Sequence, residues 1–407
     1  MSITLKDYEP IVGKHLVDEL KMLSQHLSGK VIQNVNSTAV GGGVAEILNR
    51  IIPLLQELNV DARWDVIKGG EEFYNVTKKF HNALHGRKEI ITKEMYETFI
   101  QTGEENLKSM DVYGDIVFIH DPQPIMLVKK KASMNSKWIW RCHIDISHPD
   151  KDVFAFLKPY IDQYDSSVFS APSFSRDLKI RQFMISPSID PLSHKNMDLT
   201  PEIIHEVLEK YGIDSDVPMV TQVSRFDYLK DPVGVIEAFK LVRKNIKCQL
   251  VLAGGTATDD PESGKVLAEV QERAEGNPDI HVLLIPPGSD IEINALQRAS
   301  SVVVQKSIRE GFGLTVTEAL WKGRPVVASC VGGIPLQIKH KYSGLLCRSV
   351  EGAAFMIKQL LNSPEYANKL GENAKEHVRQ NFLLTRHLRD YLLLFLTLYH
   401  PEDVIHI

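Results

Sequence analysis

Two successive series of short apolar runs, each followed by a longer stretch of helical periodicity, leave this chain few folds to choose from. Residues 31–35 read as a strand. The glycines 41–43 read as a turn, and residues 44–58 as a helix with Val44, Ile47, Leu48, Ile51 and Leu55 on one face. Further strands are expected at 115–119, 138–143, 167–170 and 182–185. The rhythm pauses over 198–216 and then restarts. Strands are expected at 218–223, 248–253, 280–285, 301–305 and 325–328, with helices at 232–244 and 264–274. Strand alternating with helix is the pattern of an α/β chain with doubly wound parallel sheets. A split near residue 213 in a chain of 407 residues implies two domains facing across a cleft. Ligands of such sheets sit beyond the carboxyl ends of the strands. The last stretch, 364–399, is helical by pattern, and residues 1–30 form an extension that could shape a binding site or a dimer contact.

Composition excludes several classes. Apolar residues make up 43% and the formal net charge is −5, so a basic nucleic-acid surface is not expected. The longest late apolar run, 392–398, falls far short of the ~20 residues that span a bilayer, so no membrane segment is expected. The start is polar, unlike a secretory leader, and the expected location is cytoplasmic. Cys142, Cys248, Cys330 and Cys347 form no C-x-x-C pair, which argues against a zinc or redox motif.

The chemistry-bearing segment is Glu310, Gly311, Phe312, Gly313, Leu314, Thr315, Val316, Thr317, Glu318. It follows the expected strand 301–305 and opens a helix. Glycines allow a tight turn, and a helix starting there aims free N–H groups and a positive dipole end at an anion such as a diphosphate. Glu310, before the helix, can face the sugar end of such a ligand, and Glu318, two turns on, can reach ribose hydroxyls. A glycine turn carrying two solvated glutamates would have the same sequence. A second segment, residues 224–232, places Arg225 and Lys230 five apart on a loop after a strand, where both could clamp a leaving diphosphate. Gly42 and Gly43 could bring backbone close to a ligand, or simply form a turn. His143, Asp145 and Ser147 fall at a strand end, as do His120 and Asp121. Asp214 and Asp216 have a D-x-D spacing but no further carboxylate or histidine in the adjoining loop, so no metal site is expected there.

Together these segments resemble retaining glycosyltransferase family 4. Glu310 to Glu318 resembles its E-x₇-E signature, and Arg225 with Lys230 its R-x₄-K phosphate clamp. Gly332-Gly333-Ile334-Pro335 resembles the loop after the next strand, with Gln337 standing where acidic residues are common. The resemblance implies the GT-B fold: two Rossmann-like domains, here 1–213 and 214–382, and a C-terminal helix, 383–407, crossing back to the first. It implies that Arg225 and Lys230 hold the diphosphate, that Glu310 and the backbone of Gly311, Phe312, Gly313 and Leu314 hold the hexose, that Thr315 belongs to the same nucleotide-sugar site, and that Glu318 binds ribose. It implies that His143 faces the transferred sugar and that Gly42 and Gly43 cover the phosphates. Within the family, residues 41–46, 120–124 and 141–145 look most like the trehalose glycosyltransferring synthases, with retaining trehalose phosphorylases slightly further off. The implied substrates are an NDP-glucose (UDP- or ADP-glucose) and glucose, the products α,α-trehalose and NDP, with no cofactor and no essential Mg²⁺. Candidates for binding the acceptor are Glu46, Asp121 and Asp145, each of which would serve equally as a cap or surface charge.

Overall fold

The computed structural model describes residues 3–39, 42–255 and 261–402. Gly41, the first glycine of the expected turn, lies outside them. The chain divides into two compact units, Met1–Pro187 with Leu384–Ile407, and Ser188–Leu383.

The first unit is built on β1 (Val31–Asn36), β2 (Asp61–Val66), β3 (Ile116–His120), β4 (Lys137–Arg141), β5 (Ser166–Phe169) and β6 (Arg181–Met184). All pair in parallel, in the order β2-β1-β3-β4-β5-β6. Every residue of β3, Ile-Val-Phe-Ile-His, is buried, because both faces of a parallel sheet are covered by helices. Alternate residues therefore enter two different cores. Val117, Ile119, Trp138 and Trp140 pack with Phe73, Phe80 and Phe99. Phe118 points the other way, meeting Tyr391 and Phe395 edge-on with ring centres 5.1 and 5.8 Å apart. Those two rings lie on the helix Leu384–Thr397, which packs on this unit together with the helices Lys14–Gln25 and Gly42–Glu57. Arg389 fastens it to Glu19 at 2.6 Å. The N-terminal extension is thus folded as two helices, Leu5–Val12 and Lys14–Gln25, and the Leu5 amide donates to the Glu57 carboxylate at 2.9 Å.

The second unit carries β7 (Met219–Val223), β8 (Gln249–Gly254), β9 (Ile280–Leu284), β10 (Val302–Gln305), β11 (Val326–Ser329) and β12 (Leu345–Cys347). They are again parallel, in the order β12-β11-β10-β7-β8-β9. Val220, Leu250 and Val304 pack with Phe239 and Ile357 on one face, and Val223, Val251 and Ala253 with Leu296 and Leu208 on the other. Two doubly wound parallel sheets are the architecture the periodicity announces, with strand ends differing by one or two residues, as such boundaries commonly do.

Several elements depart from the expectations. β2 reads Asp-Ala-Arg-Trp-Asp-Val, too polar to stand out as a strand, and β12 is only three residues long. The pause at 198–216 contains a helix, Pro201–Lys210. The stretch expected to be helical over 364–399 is two helices, Pro364–Asn381 and Leu384–Thr397, broken at Phe382 and Leu383. The break is where the chain leaves the second unit. There the Ile189 amide donates to the Phe382 carbonyl at 2.9 Å, so the entering and leaving strands of that unit are tied together. No helix among the described residues is long and apolar enough to cross a membrane.

In each sheet the chain reverses its direction of winding once. β1 lies between β2 and β3, and β7 between β8 and β10. A crevice opens at the carboxyl ends of such a pair, where the two following loops diverge. In the second unit those loops are 224–231 and 306–313, after β7 and β10; in the first the pair is β1 and β3, and His120 is the last residue of β3.

Candidate active site

The loop after β7 and the loop after β10 are joined by their own backbone, the Ile308 amide donating to the Leu229 carbonyl at 2.8 Å. Across this joint the Lys230 ammonium reaches both Glu310 carboxylate oxygens, at 2.8 and 2.7 Å. The pair is well buried, with side chains 19% and 8% exposed. It is held from behind. Gln305 donates to the Ser307 hydroxyl at 3.0 Å, that hydroxyl donates to Glu310 at 3.0 Å, and Gln222 donates to the Lys230 carbonyl at 2.8 Å. A charged pair removed from water is tolerable only with such extra hydrogen bonds. Arg225 stands apart, more than half exposed, and pairs with Asp227 at 3.2 Å. The sequence reading placed Lys230 on the diphosphate and Glu310 on the hexose; the structure brings the two into direct contact.

The Lys230 loop turns into the helix Pro232–Arg243 through Asp231, whose φ of 49° is unusual for a residue with a Cβ. Its carboxylate caps the helix by accepting from the Gly234 amide at 3.0 Å and pairs with Lys306. The strain is thus offset by a cap and an ion pair, and it fixes where Lys230 points.

Gly313, at φ 84°, is the residue from which the helix Leu314–Trp321 starts. Gly332 and Gly333 press against the same turn: the Gly333 amide donates to the Gly311 carbonyl at 3.0 Å, and a Cβ on Gly332 would stand 1.6 Å from the Glu310 carbonyl oxygen. Gln337 completes the brace, donating to the Phe312 carbonyl and accepting from the Thr317 hydroxyl at 2.6 Å. An amide does here what a carboxylate could not, since one end must donate and the other accept. Phe312 packs on Phe382 at 5.7 Å between ring centres. Glu318 is buried on the second turn of the helix. Lys322, one turn further on, donates to Asn196 at 3.1 Å and to the Glu318 carbonyl at 3.3 Å. Burial pulls the Lys322 ammonium down from its ordinary pKa, against the opposing pull of the Glu318 charge.

In the first unit, His120 ends β3 and His143 follows β4 by two residues. Their rings meet, His120 Nδ1 to His143 Nε2, at 3.1 Å. His120 Nε2 lies 3.1 Å from the Asn34 carbonyl oxygen on β1. Asp121, at φ 64°, accepts from the His143 amide at 2.8 Å. Its own amide donates to the Arg141 carbonyl at 2.7 Å, and its carbonyl accepts from Trp140 Nε1 at 3.0 Å. Asp121, named as an acceptor-binding candidate, is therefore committed to holding His143 by one carboxylate oxygen. Asp145 is buried and accepts from the Ser147 amide at 2.8 Å. Glu46 is exposed on the first turns of the helix Gly42–Glu57, and Gly43 sits in that helix with open space around it. Arg141, given no role of its own in the sequence, is wholly buried. Its guanidinium nitrogens have no hydrogen-bond partner among the described residues, and it lies 6.0 Å from the centre of the Tyr391 ring. No grouping of three or more His, Cys, Asp or Glu with metal-binding geometry occurs among the described residues.

Burial and then the Arg141 charge push His120 down to about 3. Burial and Arg141 likewise hold His143 well below the ordinary histidine range, and burial followed by Arg386 and Arg141 does so for His387. Burial pushes Asp121 up to about 6, against the His143 amide and Arg141. The signs decide a pH dependence. Below about pH 6.5 the unfolded chain protonates three histidines that the folded chain keeps neutral, so stability rises with pH through this window. Asp121 opposes this between about pH 4 and 6, where the folded chain retains a proton the unfolded chain has lost. Three groups outweigh one, and the thermal midpoint is expected to climb from about pH 4 to 6.5. His120→Gln should flatten that climb; an unchanged slope in the variant would show that His120 is not held neutral.

Two doubly wound parallel sheets, switch-point loops, glycines that let backbone approach, a buried Lys–Glu pair and a helix amino terminus are the features expected of a glycosyltransferase of the GT-B class. The comparisons with known proteins carry this further. Residues 34–176 match the family described as "Trehalose synthase, N-terminal domain", and residues 204–377 match "Glycosyl transferases group 1". The chain is 43% identical over 394 residues to a protein named trehalose synthase from Pyrococcus horikoshii, covering 95% of each. It is 29% identical to a protein named trehalose phosphorylase from Grifola frondosa, over 92% of this chain but 58% of that one. Among solved structures, sucrose-phosphate synthase from Thermosynechococcus elongatus superposes with a TM-score of 0.70 at 17% identity, covering 91% of this chain and all of that one, a likeness of fold. The chain belongs to the trehalose synthase family of group 1 glycosyltransferases.

Proposed function

We propose that this protein is a retaining glycosyltransferase that makes α,α-trehalose from an NDP-glucose and glucose, releasing NDP. The observation that carries this reading is the 43% identity to a protein named trehalose synthase, spread over 95% of both chains. The second unit supports it with cations where a diphosphate would need them. Lys230, paired with Glu310 just ahead of the helix Leu314–Trp321, offers a point charge, and the more exposed Arg225 on the same loop a planar fork. Glu310 and the backbone from Gly311 to Leu314 hold the hexose, and Glu318 the ribose. His143 faces the sugar being transferred, and Gly42 and Gly43 lie over the phosphates.

In the reaction the acceptor hydroxyl attacks the anomeric carbon from the face the diphosphate leaves. The C1–O(phosphate) bond breaks, the new C1–O bond forms, and the acceptor proton passes to a departing phosphate oxygen, so the α configuration is kept. Developing charge on the diphosphate is stabilised by Arg225, Lys230 and the helix terminus, donors fixed before the reaction begins. A protein cation in this role makes Mg²⁺ dispensable.

The second reading is a phosphorolytic enzyme that exchanges trehalose and phosphate for glucose 1-phosphate and glucose. It is favoured by the trehalose phosphorylase relative, of which this chain spans little more than half. One assay separates the two. Purified protein in EDTA, given UDP- or ADP-glucose with glucose, is expected to yield trehalose and free nucleotide. Glucose 1-phosphate from trehalose and phosphate, with NDP-glucose left untouched, would replace the first reading by the second. Activity lost in EDTA and restored by Mg²⁺ would end the metal-free assignment.

A further inference from the structure

We propose that Asn34 and His120 are positioning residues that set the tautomer of His143, so that His143 offers its sugar ligand a lone pair on Nδ1 rather than a proton. The proposal rests on the reading that His143 faces the transferred sugar.

The chain of hydrogen bonds begins at β2, the edge strand of the sheet. Asn34 Nδ2 lies 3.3 Å from the Arg63 carbonyl oxygen on β2. A carbonyl can only accept, so this end of the amide is the NH₂ and the opposite end the oxygen. That oxygen lies 3.1 Å from His120 Nε2, which must therefore carry the proton. His120 is wholly buried, with the Arg141 guanidinium beside it, and such surroundings keep an imidazole neutral. With Nε2 protonated, Nδ1 is bare and accepts. Its partner at 3.1 Å is His143 Nε2, which must then be the donor. His143 is held neutral as well, so its remaining nitrogen, Nδ1, carries the lone pair. Asn34 within β1, His120 at the end of β3 and His143 two residues past β4, on three neighbouring parallel strands, thus pass one orientation of hydrogen bonds outward. The groups facing the pair do not reverse it. Arg141 from β4 is cationic, Asp121 spends a carboxylate oxygen on the His143 amide, and His387 from the helix Leu384–Thr397 is itself held neutral by burial and nearby guanidiniums.

The chemical consequence is a preference. A lone pair at His143 Nδ1 recognises a sugar hydroxyl as a donor, and a substituent that can only accept, such as fluorine, cannot satisfy it. Asn34→Asp keeps the side chain's shape while replacing the NH₂ with an oxygen. A carboxylate beside His120 favours the imidazolium, whose Nδ1–H then donates to His143 Nε2, moving the His143 proton to Nδ1.

The test begins with the unaltered protein, so it does not depend on a variant folding. Ring-nitrogen NMR on ¹⁵N-histidine-labelled protein distinguishes protonated from bare nitrogens. The expected result is a proton on Nε2 and none on Nδ1 in both His120 and His143. A proton on His143 Nδ1, or two protons on either ring at neutral pH, would overturn the proposal. In folded Asn34→Asp the His143 proton is expected to move to Nδ1, with kcat/KM for the donor sugar falling about tenfold to a hundredfold, the range for mismatching one buried hydrogen bond. A role confined to packing would leave the His143 nitrogen signals unmoved. With NDP-deoxyfluoroglucoses, one ring position should show a penalty in the unaltered enzyme that shrinks in Asn34→Asp. If the tautomers are as assigned but His143→Ala retains full activity, what fails is the placement of His143 against the sugar, and with it the role proposed for the lone pair.

Discussion

Replacing Lys230 with methionine is expected to lower kcat by about 10²–10³-fold, the usual consequence of removing one fixed donor from a developing oxyanion. Methionine keeps the apolar stem and removes the charge. Lys230 is joined to Glu310 by two contacts under 3 Å, so the substitution also strands a carboxylate that is 8% exposed, with Ser307 as its remaining partner in this network. An uncompensated charge of that kind costs about 3 kcal/mol, less to the extent that water reaches Lys230. Activity and stability can therefore be confounded, and a double substitution separates them. Lys230→Met with Glu310→Gln removes both charges and leaves Ser307 an amide oxygen to bond. The thermal midpoint should recover most of its loss while kcat stays low. Steady-state nucleotide release and a thermal melt on the three proteins are sufficient. Full activity in Lys230→Met would remove Lys230 from the diphosphate. A double variant no more stable than the single one would mean that the pair was not what held the two loops.

Gly332→Ala is expected to be the most damaging single-methyl addition in the second unit, costing about 3 kcal/mol or more of stability. The position is closed in two independent ways. Its φ of 54° is a conformation that alanine adopts only with strain, and its Cβ would stand 1.6 Å from the Glu310 carbonyl oxygen. The obstacle is backbone, which cannot swing aside as a side-chain tip would. The loop it would push away is tied to Gly333 by the Gly311 carbonyl and to Gln337 by the Phe312 carbonyl. Displacing it moves Glu310 and the start of the helix Leu314–Trp321 together, so the KM for the donor sugar should rise even in protein that still folds. Gly264→Ala is the control, because a Cβ there meets nothing within 4 Å and the residue lies within the helix Pro261–Ala274. It should be neutral or slightly stabilising, as is usual when an unstrained glycine becomes alanine. Equal midpoints for the two variants would show that the loop after β11 is free to shift away from Glu310.

Much of the architecture was legible because parallel sheets leave a local trace. A strand buried on both faces must be apolar throughout, and Ile116–Ile119, Leu250–Ala253 and Val302–Val304 are so. β2 was not legible because its polar residues Asp61, Arg63 and Asp65 leave no such run. The break at Phe382 and Leu383 was invisible for the opposite reason. Both residues are apolar and buried, and nothing in their order marks where one helix stops and the chain passes from one unit to the other.

For the site, sequence by itself determined which residues could do chemistry and roughly where on the strands they fall. Glycine requirements and helix starts are local, so the segment from Glu310 to Glu318 and the residues Arg225, Lys230 and His143 could be picked out by spacing and resemblance. What only the tertiary structure decided is who pairs with whom. Lys230 and Glu310 are 80 residues apart and Asn34 and His120 are 86 apart. No periodicity links such positions, because their contact is set by strand order, β10 beside β7 and β1 beside β3, rather than by anything along the chain. The same holds for Gln337. In the sequence it is a departure from a pattern of acidic residues; in the fold its amide donates to the Phe312 carbonyl and accepts from the Thr317 hydroxyl at once. Hydrogen-bond polarity of that kind exists only between groups that folding has brought within 3 Å or so of each other.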